Sequence, residues 1–304
     1  MKHWFTYPLV THPCNPEFMS RQGVLRVARA AEAAGFDGIG FTDHPAPSDK
    51  WLNAGGHDAL DPFVALAAVA AVTERISLIP NIVVLPYRNP FIVAKATASL
   101  DLISDGRFVL SVATGYLRSE YRSLGVDFEK RNAIFDEALE VLDGVWSHER
   151  FQYEGHDFVA GGVTSNPRPG HVPIWIGGNS PLTRRRVAAH ADGWNPFPAS
   201  LQLARTARTV ALEGLEDLIP MLDDLWIQVE KAGRDRDQID VVFTTGRPGP
   251  DDARFNAEEH LEAIETMTSL GITWTNASIP GDSIDRAIEA IERYGSEVIA
   301  PTRT

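Results

Sequence analysis

Residues 75–115, RISLIPNIVVLPYRNPFIVAKATASLDLISDGRFVLSVATG, restrict the fold more than any other stretch, because they set two apolar strands around one helix. Residues 76–85 are an apolar, β-branched run. Asn89 followed by Pro90 is an N-cap with proline at the first helical position, and residues 108–113 are a second buried run. Strands without polar alternation belong to a parallel sheet covered by helices on its faces. In that architecture ligands bind beyond the carboxyl ends of the strands, here near residues 83–86 and 114–116.

The same alternation runs through the whole chain. Strands are predicted at residues 4–9, 38–42, 76–85, 108–113, 173–176, 193–195, 239–244 and 273–277. Helices are predicted from an N-cap at Ser20 to Gly35, behind Asp61 and Pro62, behind Asn89, over 130–146, behind Ser180 and Pro181, over 257–270 and over 283–294. Residues 200–232 read as helical sequence broken by Pro220. Residues 149–172 lack helical period, so FQYEGHDFVAG is a hairpin or an extended insertion. Right-handed βα units in this number close most naturally into a (β/α)8 TIM barrel, with an open doubly wound sheet as the alternative. A chain of 304 residues exceeds the roughly 250 of a typical barrel by an insertion or two. One TIM-barrel domain over residues 1–304, with an insertion at about 149–172, is the expected organisation.

A formal charge of −13 disfavours nonspecific binding to nucleic acid or to an anionic membrane, and no apolar run approaches the roughly 20 residues that span a bilayer. The basic run Arg184 to Arg186 lies in a predicted helix and reads as a solvated face or a set of ion-pair partners. The N-terminus runs into strand-like sequence without the marks of an export signal, and the single cysteine, Cys14, has no partner for a disulfide; both point to the cytoplasm. The expected partner is a small-molecule substrate. The apolar second and third helices could supply a homodimer interface, although helices covering a barrel are apolar in any case.

Chemistry is sought at the carboxyl rim. The second strand ends in FTDHPAP, which sets Asp43 and His44 there; a histidine can exchange a proton near neutral pH, and an aspartate can orient it or cap backbone. Position alone leaves a loop His beside a capping Asp equally open. No set of convergent ligands argues for a metal, since His57, Asp58 and Asp61 are close in sequence but Asp61 is explained as a helix cap. No GxSxG elbow is present, and Cys14 has no obvious histidine beside it. Gly177, Gly178 and Asn179 precede the helix begun by Ser180; they are either an anion-binding turn or an ordinary βα turn. Trp51, Phe151, Phe158 and Phe197 suggest an apolar pocket, core packing being the simpler role for any one of them.

AEAAGFDGIGFTDH (31–44), residues 72–125, in which RNP, AK, LDLISDGR and a later glycine follow in order, and PIWIGGNSPLTRRRVAAHADGW (173–194) together resemble the luciferase-like monooxygenase superfamily, and within it the branch using the deazaflavin coenzyme F420. The resemblance covers most of the first two-thirds of the chain; residues 195–304 match only in layout. It implies a luciferase-like TIM barrel and hydride transfer between F420 and a small organic substrate. It further implies that His44 faces the reactive carbon with Asp43 beside it, and that a non-prolyl cis peptide at Asn81–Ile82, with Val83, backs the ring. Thr114, Gly115 and Tyr116 then form the fourth-strand exit, and Gly177, Gly178 and Asn179 the phosphate loop. Glu120 matches a family carboxylate read as structural. Sugar-phosphate dehydrogenases of this branch carry a glutamate where this chain has Tyr116, so their substrate is not transferred. The alternatives are an FMN-dependent monooxygenase using oxygen and a non-catalytic flavin-binding barrel.

Overall fold

The computed structural model describes residues 1–303. Among them nine strands form one parallel sheet and two more form an antiparallel hairpin. The sheet holds β1 (Lys2–Thr6), β2 (Gly38–Gly40), β3 (Ser77–Leu78), β4 (Val83–Val84), β5 (Leu110–Ala113), β8 (Ile174–Gly177), β9 (Gly193–Asn195), β10 (Asp240–Phe243) and β11 (Trp274–Ala277); β6 (Phe151–Glu154) and β7 (Val159–Val163) are the hairpin. The sheet order is β3-β2-β1-β11-β10-β9-β8-β5-β4, so it begins and ends on strands that are neighbours in sequence. Leu78 also bridges Phe108: its N–H donates to Arg107 O at 3.0 Å and its carbonyl accepts from Val109 N at 3.1 Å. The sheet is curled, and helices cover its outer face.

Those helices are α1 (Arg21–Ala33), α3 (Pro62–Ala70), α4 (Pro90–Ile103), α6 (Arg131–Ser147), α7 (Pro181–His190), α9 (Leu215–Lys231), α10 (Ala257–Ser269) and α11 (Ile284–Tyr294), with short α2 (Asp49–Leu52), α5 (Arg118–Ser123) and α8 (Leu201–Ala207) between them. Their starts are where the caps are: Ser20 accepts from Gly23 N, Asp61 from Phe63 and Val64 N, Asn89 from Phe91 N, and Ser180 from Thr183 N. Each such cap stabilises its helix by about 1 kcal/mol. Of the basic run in α7, Arg184 pairs with Asp224 and Arg186 with Asp136.

Alternate residues of each strand point to the inner face. Trp4, Ile79, Val109, Trp175, Val242 and Trp274 form one apolar cluster there, the indoles meeting edge-on at 6.2 and 5.1 Å. Two residues further along each strand stand Thr6, Gly40, Asn81, Ser111, Gly177, Asn195, Thr244 and Asn276. The inner face is therefore apolar toward the amino ends and wholly polar or glycine toward the carboxyl ends.

Four expectations are corrected. Residues 76–85 are not one strand: Ser77–Leu78 pairs with β2 and Val83–Val84 pairs with β5, while the Asn81–Ile82 peptide between them is cis, as the resemblance implies. Pro80, lacking an N–H, sits at this change of partner. Pro220 does not break the helical region; it lies exposed inside α9, where its ring forgoes one bond, and the break falls after Arg208, which is left-handed at φ 53°. The segments after β2 and β5, where no helix is predicted, carry the short helices α2 and α5, each under two turns and so without a readable period. Phe151 and Phe158 take the simpler role of core packing: Phe151 lies against Gly144 of α6, and Glu137 of the same helix accepts from the backbone of Asp157 and Phe158. No helix among the described residues is long and apolar enough to cross a membrane.

Candidate active site

The segment leaving β2 carries two ionisable groups whose environments differ. Asp43 is buried; its Oδ1 pairs with Arg88 Nη2 at 2.7 Å and its Oδ2 accepts from Val84 N at 3.0 Å. The same Arg88 nitrogen reaches Asp61 at 2.9 Å, so one guanidinium ties the end of β2 and the cap of α3 to the turn after β4. Burial raises the Asp43 carboxyl, against the pull of Arg88. This side chain is engaged by its own chain.

His44 differs: its Nδ1 lies 3.1 Å from Oε2 of Glu120, which α5 holds fully buried. Glu120 also accepts from Ala46 N at 3.2 Å and from the Tyr87 hydroxyl at 3.1 Å. Burial, and then the charge of Glu120, push the Tyr87 hydroxyl far up, so it stays a donor. With Ala46 N and Tyr87 donating to it, Glu120 is placed to accept at His44 Nδ1 as well, which leaves Nε2 on the side of the ring away from it. Around the ring stand Trp51 at 4.4 Å, His57 at 5.0 Å and Tyr116 at 6.5 Å, centre to centre. Burial lowers His57 and raises Tyr116, which keeps both neutral near pH 7.

The other predicted residues gather at the same end. Gly115, at φ 65°, turns the chain after β5 so closely over β4 that a Cβ would lie 2.4 Å from Val84 Cγ1. Thr114 gives its carbonyl to the Tyr121 hydroxyl, and Tyr116 stacks on Phe197 at 6.3 Å. A Cβ on Gly177 would meet Ile82 Cδ1 at 2.3 Å, so Ile82 reaches across onto the end of β8, beside Gly178 at φ 115°. Asn179 is fully buried and bonded within the chain: its amide donates to Phe197 O and Val210 O, and its oxygen accepts from Phe197 N. Asp43 and Asn179 thus hold loops together, whereas His44, Ile82, Gly115, Tyr116 and Gly177 meet at the mouth of the sheet.

Below these lies the polar layer, knitted by Asn81 Nδ2 to Thr6 Oγ1 at 2.7 Å and Asn195 Nδ2 to Asn81 Oδ1 at 3.1 Å. A cleft of about 280 Å³ opens beside it, among Thr6, Asn195, Phe243, Thr244, Asn276 and Ile279, and no residue lining it is charged. Sequence reading named Asn81, Gly177 and Glu120 singly, but not the layer that joins the first two nor the pairing of Glu120 with Tyr87 and His44. The layer had a signal, a polar residue or glycine two places after the last inward apolar one in strand after strand; Glu120 bonds His44 across 76 residues, and no local pattern carries that. Among the described residues no group of three or more His, Cys, Asp or Glu side chains gathers as a metal would need.

A family model of luciferase-like monooxygenases matches residues 6–297. The chain is 31% identical over 276 residues to an F420-dependent glucose-6-phosphate dehydrogenase of Microbacterium testaceum, covering 87% of this chain and 76% of that one. Among solved structures it superposes on a monooxygenase of Streptomyces bottropensis with a TM-score of 0.81 at 19% identity, over 100% of both chains. It also superposes on the coenzyme F420-dependent tetrahydromethanopterin reductase of Methanopyrus kandleri with a TM-score of 0.73 at 17% identity, over 99% of both. The last two likenesses concern the fold.

Proposed function

We propose that this chain, which belongs to the luciferase-like monooxygenase family, is an F420-dependent oxidoreductase acting on a small organic substrate at the mouth of a closed (β/α)8 barrel. The family match makes it an enzyme, and the dehydrogenase relative favours F420. Closure and a single domain are the reading that the shared third strand supports, since β3 and β4 end the sheet order from opposite sides.

The chemistry of the mouth fits a deazaflavin. Such a ring needs flat apolar surroundings for its faces and neutral donors and acceptors for its polar edge, and the mouth offers Trp51, Tyr116, Phe197 and Ile82 above amides and hydroxyls. Gly40 and Gly177 keep the inner layer free of side chains at two of its positions. Asn81, Ile82, Val83, Thr114, Gly115 and Tyr116 would hold the ring, and Gly177, Gly178 and Asn179 the phosphate, with Asp43 and Asn179 acting by positioning their loops. When bound, F420 supplies a carbon that gives or takes hydride.

The protein's own part centres on His44, and the observation carrying this reading is its pairing with the buried Glu120. Nε2 holds or moves a proton at the substrate oxygen while Glu120 fixes the tautomer and Tyr87 and Ala46 fix Glu120. The aromatic residues exclude water. Tyr116 occupies the place of the sugar-phosphate dehydrogenases' glutamate, and the adjoining cleft is uncharged, so a neutral substrate suits the site better than a sugar phosphate. The exposed Val64, Ile92, Leu102 and Ile103 of α3 and α4 support a homodimer through that face, which sedimentation velocity tests.

Fluorescence titration with F420 and with FMN is the experiment for the whole reading. Preferential binding of F420, with its reduction or oxidation by enones, imines or alcohols, is expected. Preference for FMN with oxygen uptake would make the chain a monooxygenase, and binding without turnover across that panel would make it a flavin-binding barrel.

A further inference from the structure

Beside the mouth, three guanidinium groups converge on one phenyl ring. Arg118, Arg131 and Arg208 lie 4.3, 4.0 and 5.6 Å from the centre of the buried Phe128. They come from three separate elements: the first residue of α5, the first of α6 and the C-cap of α8. The acids close by are Glu129, which pairs with Arg118, and Asp127, which accepts from Glu129 N; Arg131 gives one N–H to Phe128 O. The Arg208 guanidinium has no ion pair or hydrogen bond among the described residues. Its backbone is left-handed, φ 53° and ψ 45°, where glycine is the usual helix-ending residue and an arginine side chain adds strain.

Attraction to the ring face offsets only part of the mutual repulsion of three like charges, and a single carboxylate answers them. Guanidinium groups gathered from separate elements at a partly exposed rim are the donor set for a multiply charged anion of carboxylates or phosphate. Their position is specific. Arg118 follows Tyr116 by two residues, and Arg208 precedes by two residues Val210, whose carbonyl holds Asn179. Phe128 belongs to the same small cluster as Val84, Tyr87 and Tyr121, directly behind Gly115 and Glu120. The trio therefore joins the two loops that the proposed function gives to the coenzyme.

We propose that Arg118, Arg131 and Arg208 form a clamp for the glutamate tail of the coenzyme, beyond the phosphate given to Gly177, Gly178 and Asn179. This rests on the F420 reading, and the test separates the two. Binding is measured by fluorescence for F420 with its full glutamate tail and for the tail-less form that keeps the phosphate but carries no glutamate, in the wild type and in the Arg118→Gln/Arg208→Gly variant. Glycine suits the left-handed position, so the variant should fold, and thermal melting checks that it does. The wild type should bind the tailed form at least about tenfold more tightly, with a steeper dependence on salt, and the variant should lose most of that difference while holding the tail-less ring as before. Equal binding of the two ligands by the wild type, or an unchanged preference in the variant, would overturn the clamp alone. If the wild type bound neither ligand, the coenzyme reading would fall and the clamp with it.

Discussion

A histidine with one nitrogen fixed by a carboxylate has a single nitrogen left to offer, and which one is decided by the residue behind it. For His44 that residue is Glu120, so the two make different predictions. Replacing His44 by Ala removes the proton carrier; turnover with F420 should fall by about 10²- to 10⁴-fold while coenzyme affinity stays within a fewfold, and unchanged turnover would take His44 out of the chemistry. Glu120→Gln keeps the size but brings an NH₂ group toward donors that need an acceptor. It should lower turnover by about tenfold and change the shape of the pH–rate profile, which a purely structural fault would leave alone. At this scale the sequence set His44 at the rim, because a strand end points there, and hid its contact with Glu120. A carboxylate in a six-residue helix looks like surface until its partner 76 positions earlier is beside it.

Short elements at the rim are held by shared side chains rather than by their own length. The turn after β4 donates Arg88 to Asp43, beyond β2, and to Asp61, the cap of α3, which fixes three segments relative to one another. Removing Arg88 leaves the Asp43 carboxylate buried without its counter-charge, a change that costs about 3–5 kcal/mol in comparable buried pairs. Arg88→Ala should accordingly lower the urea midpoint strongly, and Asp43→Asn, which leaves no stranded carboxylate, should cost less; equal small losses would mean the pair is solvated. Helix starts were legible because Ser20, Asp61, Asn89 and Ser180 announce them locally. Asn89→Ala should cost about 1 kcal/mol in the same assay. The division of the third strand was marked at its middle by Pro80 and Asn81, but the exchange of β2 for β5 as partner was not legible, since both halves are apolar enough for either neighbour. Nor was the tolerance for Pro220, which depends on its exposed place inside α9.

Over the whole molecule the inner face of the sheet is polarised from end to end: three tryptophans close one end and amides, hydroxyls and glycines line the other. The alternation of strands and helices could be read from the order of apolar runs, except that one expected strand is two, β3 and β4. The polar layer could not be assembled that way, because its members come one from each of several strands and gain meaning only once the register aligns them. The same polarity separates stability from function. At the amino end of β1, His3 is fully buried, its ring edge-on to Tyr294 at 5.9 Å with Nε2 3.3 Å from the Thr302 hydroxyl. Burial, with the charge of Arg303 adding to it, brings His3 down to about 3 from an ordinary value of 6.5. The folded state then refuses a proton that the unfolded chain accepts. The stability held by neutral His3 is complete above pH 6.5 and declines as pH falls toward 3, by up to about 1.4 kcal/mol for each pH unit. Urea unfolding at pH 7 and pH 5 should show this loss in the wild type and a smaller one in His3→Gln, although the variant starts lower. Because His3 stands at the end away from the mouth, coenzyme binding by the folded variant at pH 7 should be unaltered; parallel losses in both proteins between the two pH values would assign the acid sensitivity to other groups.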